Sequence, residues 1–268
     1  MTPSGQVLVV GAASGMGAAV VRAARAAGAR VVALDHAPIV EEVDRAVSVD
    51  LRDPASIDRA LATVDGPVAA VYSAAGVADG PDLMRVNVIG HRYLVERLLA
   101  EQRLPRGSAV CFVSSVAGIG WESDLTRLRD FLATVDYAAA DAWVAAHEGT
   151  NNYAFSKQAI NAYVATRAMP MLRQGVRLNA ICPGPTDTPL ARGNADLWLA
   201  FGAQYRAEVG CAVHTAEEMA DVMVFLNSRA ARGISGVTLL VDNAHVASSL
   251  TGVWMADKPL IDLLSGRG

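Results

Sequence analysis

Lysine is almost missing from this chain: of its 23 basic residues only Lys157 and Lys258 are lysines. A surplus of positive charge is missing too. Asp and Glu number 27, the formal net charge is −4, and no footprint for nucleic acid is present. Cysteine is scarce. Cys111, Cys182 and Cys211 are odd in number and widely spaced, which gives neither a disulfide framework nor a zinc spacing. No metal is expected, and a reducing, cytoplasmic compartment fits. The first residues carry no basic segment leading into an apolar run, so no signal peptide is expected. Long apolar runs are also lacking. Residues 7–34 are interrupted by Arg22, Arg25 and Arg30, which argues against a membrane span. With no linker, repeat or low-complexity tract in 268 residues, one domain over 1–268 is expected.

What is present is 52% hydrophobic residues, enough for a large core. Residues 6–10 form a short apolar run that ends at Gly11 and predicts a buried strand. Gly11-Ala12-Ala13-Ser14-Gly15-Met16-Gly17 follows, then an alanine-rich helical stretch that Gly28 stops. Residues 30–34 predict a second strand, closed by Asp35. Strand, glycine turn, helix, strand and acid make a βαβ unit laid out for a dinucleotide. Gly11 permits a tight turn, Gly15 lets a pyrophosphate approach the backbone, and Gly17 lets helix and strand pack closely. The phosphates would rest on the helix N-terminus. Asp35 is placed to accept hydrogen bonds from the adenosine ribose. Its charge repels a 2′-phosphate and the next residue is His36 rather than Arg, so NAD is expected over NADP.

Further strands are predicted over 46–49, 68–72, 108–113, 175–181 and 236–241. Asp50, Ser73 and Ser115 fall at strand ends. Asp53-Pro54 opens one helix, residues 81–103 with Asn87 read as another, and Thr215 with Glu218 forms a capping box for a third. This alternation predicts an α/β, doubly wound, Rossmann-like parallel sheet of seven strands, with ligands beyond the C-terminal strand ends.

Asn151-Asn152-Tyr153-Ala154-Phe155-Ser156-Lys157 carries the reactive chemistry. Tyr153 and Lys157 stand four apart, so a helix puts both on one face. A nearby ammonium group favours the phenolate and lowers the phenol's pKa from about 10, which equips the pair to exchange a proton near neutral pH. Residues 121–149 break the strand–helix rhythm. Leu125, Leu128, Leu132 and Val135 follow a helical period and residues 138–147 predict a second helix, giving a helical hairpin inserted before Tyr153. It starts just after Ser115 and ends just before Tyr153, so it is expected to form part of a lid over an apolar substrate. The opposing reading is a hairpin packed permanently on the protein. Trp121, Trp143, Trp198 and Trp254 are candidates for an apolar pocket.

Taken in order, Gly11-x-x-x-Gly15-x-Gly17, Asp35, Asp50, Ser73-Ala74-Ala75-Gly76, Asn87, Val113-Ser114-Ser115, Tyr153-x-x-x-Lys157 and Pro183-Gly184 resemble the short-chain dehydrogenases/reductases over nearly the whole chain. The insertion and the stretch 175–190 resemble the bacterial 3α-hydroxysteroid dehydrogenase/carbonyl reductase subgroup. Two departures stand out: Ser73 where the family usually has Asn, and Asp242-Asn243-Ala244 in place of Asp-Gly-Gly. The resemblance implies catalytic roles for Asn87, Ser115, Tyr153 and Lys157, with Asn87 holding a water that links Lys157 to solvent. It implies cofactor contacts from Gly11, Ser14, Gly15, Met16, Gly17, Asp35, Asp50, Leu51, Ser73, Ala74, Ala75, Gly76, Tyr153, Lys157, Pro183, Gly184, Thr186 and Thr188. The expected activity is an NAD-dependent interconversion of a secondary alcohol and a ketone on a bulky cyclic small molecule such as a steroid or terpenoid. A reductase of smaller carbonyl compounds and a non-catalytic NAD-binding regulator are the alternatives. Family members commonly pair through the helices carrying Asn87 and Tyr153. A homodimer or homotetramer is expected, through the last strand and tail if the hairpin obstructs that surface.

Overall fold

A computed structural model describes residues 5–267. The first half alternates strand and helix: β1 Gln6–Val10, α1 Gly15–Ala26, β2 Arg30–Asp35, β3 Arg45–Ser48, α2 Pro54–Ala62 and β4 Ala70–Ser73. A π-helical turn, Arg85–Ile89, then runs into α3 Gly90–Ala100, so the helix expected over 81–103 starts late and irregularly. After β5 Ala109–Val113 come α4 Leu125–Leu132, α5 Tyr137–Ala146 and the long α6 Tyr153–Arg173. The last part holds β6 Arg177–Pro183, β7 Thr186–Asp187, α7 Pro189–Arg192, α8 Ala195–Trp198, α9 Ala203–Val209, β8 His214–Thr215, α10 Ala216–Asn227, β9 Thr238–Val241, α11 His245–Leu250 and α12 Lys258–Leu264.

Seven strands form one parallel sheet in the order β3-β2-β1-β4-β5-β6-β9. Strands buried on both faces need no polar alternation, which is why β1 and β4 are buried at every position. One apolar layer joins the sheet to α3 and α6, and the other joins it to α1 and α10. The chain reverses its strand order between β1 and β4, and a crevice opens there beyond the strand ends.

Local chemistry sets the ends of these elements. Asp53 caps α2 by accepting from the Ala55 N–H, with Pro54 in the first turn. Asn152 caps α6 through the Phe155 N–H. The Thr215–Glu218 capping box is formed in both directions on α10.

The inserted hairpin departs from expectation. Leu128 and Phe131 are fully buried in the layer that holds Phe155 and Ile160, whereas Val135 lies beyond the end of α4 and is 88% exposed. Burying Leu128 and Phe131 contributes roughly 1.5–3 kcal/mol each, so the hairpin is held shut against the core. Its residues do not reach the cleft. The expected lid role is therefore corrected: the apolar face of α4 is already covered by protein. The tail, which showed weak periodicity in the sequence, forms α11 and α12.

Candidate active site

A cleft of about 850 Å³ runs along the C-terminal ends of the strands. From β2 to β5 it crosses three strand spacings, about 14 Å. At the β1 end, Gly11 turns the chain with φ +86°, and a Cβ there would lie 2.4 Å from the Ala75 nitrogen. Gly17 faces the Gly11 carbonyl so closely that a Cβ would meet its oxygen at 1.9 Å. Both glycines are thus required by backbone-to-backbone packing. At Gly15, with φ +53°, the nearest neighbours of an added Cβ would be the Thr188 and Pro189 side chains, at 3.4 Å or more. Ser14 makes no side-chain cap on α1 and no acid occupies its first turn. The orphan amides of that turn are therefore free for an anion, as a pyrophosphate requires. Gly11, Ser14, Gly15 and Met16 line the cleft, while Gly17 lies just behind it.

At the end of β2, Asp35 accepts from the Ala13 N–H at 2.9 Å and the Ala37 N–H at 2.9 Å. The first bond ties the glycine turn to β2. A carboxylate has about four acceptor sites, so Asp35 retains capacity for ribose hydroxyls. Asp50 and Leu51 line the same end, with the Asp50 carboxylate in a bidentate pair with Arg52 that holds it below the usual carboxylate range.

At the end of β5, Ser115 has extended backbone and its Oγ accepts from the Ala117 N–H at 3.1 Å, capping a short turn. That bond uses a lone pair and leaves the hydroxyl hydrogen available. Tyr153 and Lys157 occupy the first two turns of α6 and also line the cleft. The Lys157 Nζ donates to the Val113 carbonyl at 3.1 Å and lies 5.3 Å from the centre of the Tyr153 ring. Burial lowers the Lys157 pKa to about 8. Burial also pushes the Tyr153 phenol up to about 12, opposed by hydrogen bonding to Ser115. The downward shift expected from the lysine is not what the protein alone produces, because desolvation favours the neutral form of both groups.

Asn87 and Ser73 do not line the cleft. The Asn87 side chain accepts from the Val77 N–H at 2.8 Å and donates to the Val77 carbonyl at 3.0 Å and to Ser156 Oγ at 3.2 Å. Both its amide hydrogens are spent, so a water held by this side chain would have to donate to Oδ1. Ser73 is buried against His91. Ala74, Ala75 and Gly76 form the wall in front of these groups.

Pro183, Gly184, Thr186 and Thr188 close the opposite side. The Thr186 hydroxyl donates to the Gly184 carbonyl at 2.9 Å, and Thr188 caps α7 through the Ala191 N–H. Of the four tryptophans only Trp198 lines the cleft, its ring centre 4.7 Å from that of Tyr153. Trp121 and Trp143 pack on the core, and the Trp254 indole donates to Asp257.

Sequence reasoning missed Phe201, Leu260 and Leu264, which also line the cleft. For α12 a signal existed: Pro259 in its first turn and leucines at 260, 263 and 264. Asp242-Asn243-Ala244 keeps a left-handed turn without glycine, with φ +54° at Asn243 and +65° at Ala244. The Asp242 carboxylate holds that turn by accepting from the Ala244 and Val246 N–H groups.

Among described residues no cluster with metal-ligand composition is found, and no helix is long and apolar enough to cross a membrane.

Comparison with known proteins adds independent findings. A profile of the NAD dependent epimerase/dehydratase family matches residues 7–166, and one described as enoyl-(acyl carrier protein) reductase matches 132–243. The chain is 29% identical to a coniferyl-alcohol dehydrogenase of Pseudomonas sp. (strain HR199 / DSM 7063), over 88% of this chain and 94% of that one. It is 31% identical to a 3-alpha-hydroxysteroid dehydrogenase/carbonyl reductase of Comamonas testosteroni, over 88% and 94%. Among solved structures, the 3-alpha-hydroxysteroid dehydrogenase of Pseudomonas sp. B-0831 complexed with NADH superposes with a TM-score of 0.75 at 28% identity, covering 93% of this chain and 99% of that one.

Proposed function

Because this chain belongs to the short-chain dehydrogenase/reductase family of oxidoreductases, we propose that it interconverts a secondary alcohol and its ketone with NAD, on an uncharged, ring-bearing apolar substrate. The observation that carries this reading is the grouping of Ser115, Tyr153 and Lys157 in the same cleft as the glycine turn and Asp35. NAD supplies the hydride chemistry when bound. Uncapped first-turn amides of α1 and the Asp35 carboxylate fit its pyrophosphate and its adenosine ribose. The same carboxylate disfavours a 2′-phosphate, and the neighbouring Arg52 is already paired with Asp50.

The chain's own residues then have distinct roles. Ser115 donates its hydroxyl hydrogen to the substrate oxygen, where negative charge develops during oxidation. Tyr153 exchanges a proton with that oxygen. Lys157 holds the nicotinamide ribose and, while protonated, favours the phenolate. A cationic nicotinamide acts in the same direction, against the upward push of burial on Tyr153.

The substrate class follows from the wall beside Tyr153. Leu190, Leu197, Phe201, Leu260 and Leu264 are apolar, and Trp198 offers only its indole N–H, so this lining has little to hold a carboxylate or phosphate. Apart from Lys157, the charged lining groups are the acids Asp35, Asp50, Asp79 and Asp82 and the guanidinium of Arg52, which is paired with Asp50 and Asp82. A neutral ring stacked near Trp198 matches this wall.

An absorbance assay with NAD and NADP against a panel of neutral cyclic secondary alcohols, steroids included, and small ketones tests the reading. NAD-linked turnover favouring the bulky members is expected. Equal kcat/KM for the two cofactors would sink the NAD assignment. No turnover alongside measurable NAD binding would sink the enzymatic reading in favour of a regulator.

A further inference from the structure

We propose that His91 is a positioning residue which, with Ser73, fixes the cofactor-facing wall formed by Ala74, Ala75 and Gly76. The inference rests on the dinucleotide-binding role of the cleft proposed above.

His91 sits one turn beyond Asn87, in the first turn of α3, and is 2% exposed. Its Nε2 lies 3.0 Å from the Ala75 carbonyl and its Nδ1 is hydrogen-bonded to Ser73 Oγ. A carbonyl oxygen can only accept, so Nε2 carries the hydrogen. In a neutral ring Nδ1 is then the acceptor and the Ser73 hydroxyl the donor. Burial keeps the ring neutral, lowering its pKa to about 4, so this tautomer persists at neutral pH.

The two helix residues divide the strand-end segment between them. Asn87 grips Val77 through both its N–H and its carbonyl. His91 grips Ala75 and Ser73. Alternate residues 73, 75 and 77 are thus each tied to the helix behind, and the stretch 74–77 that they hold lines the cleft. Ala75 is also the residue that fills the space beside Gly11, its nitrogen 2.4 Å from where a Cβ would stand. A shift of Ala75 is therefore felt by the glycine turn. Gly76 stands before the Lys157 Nζ, which a Cβ at 76 would approach to 4.0 Å. The His91 ring itself makes no contribution to the cleft surface, so its effect passes through this wall.

The test uses the full chain with His91→Phe, which keeps a ring and removes both hydrogen bonds, His91→Gln, which restores an N–H donor, and Ser73→Ala. NAD and NADP affinity is measured by titration, KM and kcat by assay, and Tm by thermal unfolding. His91→Phe is expected to raise the NAD Kd and KM by roughly tenfold, since part of the cost of leaving the Ala75 carbonyl and the Ser73 hydroxyl unpaired is passed to the cofactor wall, with a smaller change in kcat. His91→Gln should recover most of that loss, and Ser73→Ala should raise the Kd by an intermediate amount. Lower Tm with unchanged NAD Kd in the folded variants would overturn the proposal and leave a purely structural role. If His91→Phe does not fold, Ser73→Ala alone decides on the same readouts. A native protein that binds neither dinucleotide would overturn the functional reading together with this one, whereas normal native binding with unaffected variants defeats this proposal alone.

Discussion

Single residues at the active end are governed by burial more than by pairing. Desolvation pushes the Tyr153 phenol up to about 12 and draws Lys157 down to about 8. The sign of the pH dependence follows. Alcohol oxidation requires an unprotonated phenol, so its kcat should rise with pH, most steeply below about 8 while Lys157 keeps its charge. Ketone reduction uses the protonated phenol with a charged lysine behind it, and should fall above about 8, where Lys157 loses its proton. Rate profiles in both directions check this, and an oxidation rate that declines with rising pH would contradict it. Tyr153→Phe should lower kcat by about 10²–10⁴-fold with nearly unchanged NAD affinity, since it removes a proton-transfer group and keeps the ring. Lys157→Ala should damage both kcat and NAD binding. Retention of most activity by the Phe variant would refute the assignment of Tyr153. Outside the site, Ala244 holds φ +65° without being glycine. Ala244→Gly should therefore stabilise the fold by up to about 1 kcal/mol, the cost of a side chain in that region, as read from denaturant midpoints.

At the scale of elements, two segments exchange the roles that the sequence suggests for them. The hairpin of α4 and α5 is core, with Leu128 fully buried, and the wall beside Tyr153 comes from α8, Phe201 and α12. Leu128→Ser should cost at least the 2–5 kcal/mol typical of Leu→Ala in a core, and should change KM for bulky and small substrates alike. Leu260→Ala with Leu264→Ala should instead raise KM for a bulky ring much more than for a small ketone. The reverse pattern would restore the hairpin as a lid. The α12 element is held in place through Asp257, which accepts from the Trp254 indole at 2.7 Å and stands 2.8 Å from His245 Nε2. His245 in turn stacks on Tyr205, its ring centre 4.6 Å away. The tail therefore depends on partners distant in sequence, which explains its faint signal.

For the whole molecule, assembly turns on which surface is left unpartnered. The hairpin packs on α6 and on the π-helical turn before α3, beside the surface through which members of the family commonly pair. At the other side β9 is the sheet edge, with Leu240 37% exposed and Phe225 of α10 44% exposed. An open parallel edge with apolar neighbours invites pairing with another chain. Light scattering is expected to give at least a dimer, and Leu240→Lys to shift it toward the 28.0 kDa species. A native protein found only at that mass would refute the assembly.

By itself the sequence determined the βαβ unit, the seven parallel strands and the glycine turn, Asp35, Tyr153 and Lys157 of the cleft, but not that Asn87 and Ser73 stand behind its wall or that Phe201, Leu260 and Leu264 line it. The reason is that these depend on local pattern: buried runs bounded by glycine, caps such as Asp53 and Asn152, and the four-residue spacing of Tyr153 and Lys157. Only the tertiary structure decided what each face touches. Periodicity marks an apolar face such as Leu125, Leu128 and Leu132, but it carries no record of whether substrate or protein covers that face. His91 shows the same limit. A lone histidine has no motif, and its bonds to Ser73 and Ala75 arise because α3 lies behind the end of β4. The direction of the Tyr153 shift was likewise set by depth of burial, a property of the assembled fold rather than of the spacing from Lys157.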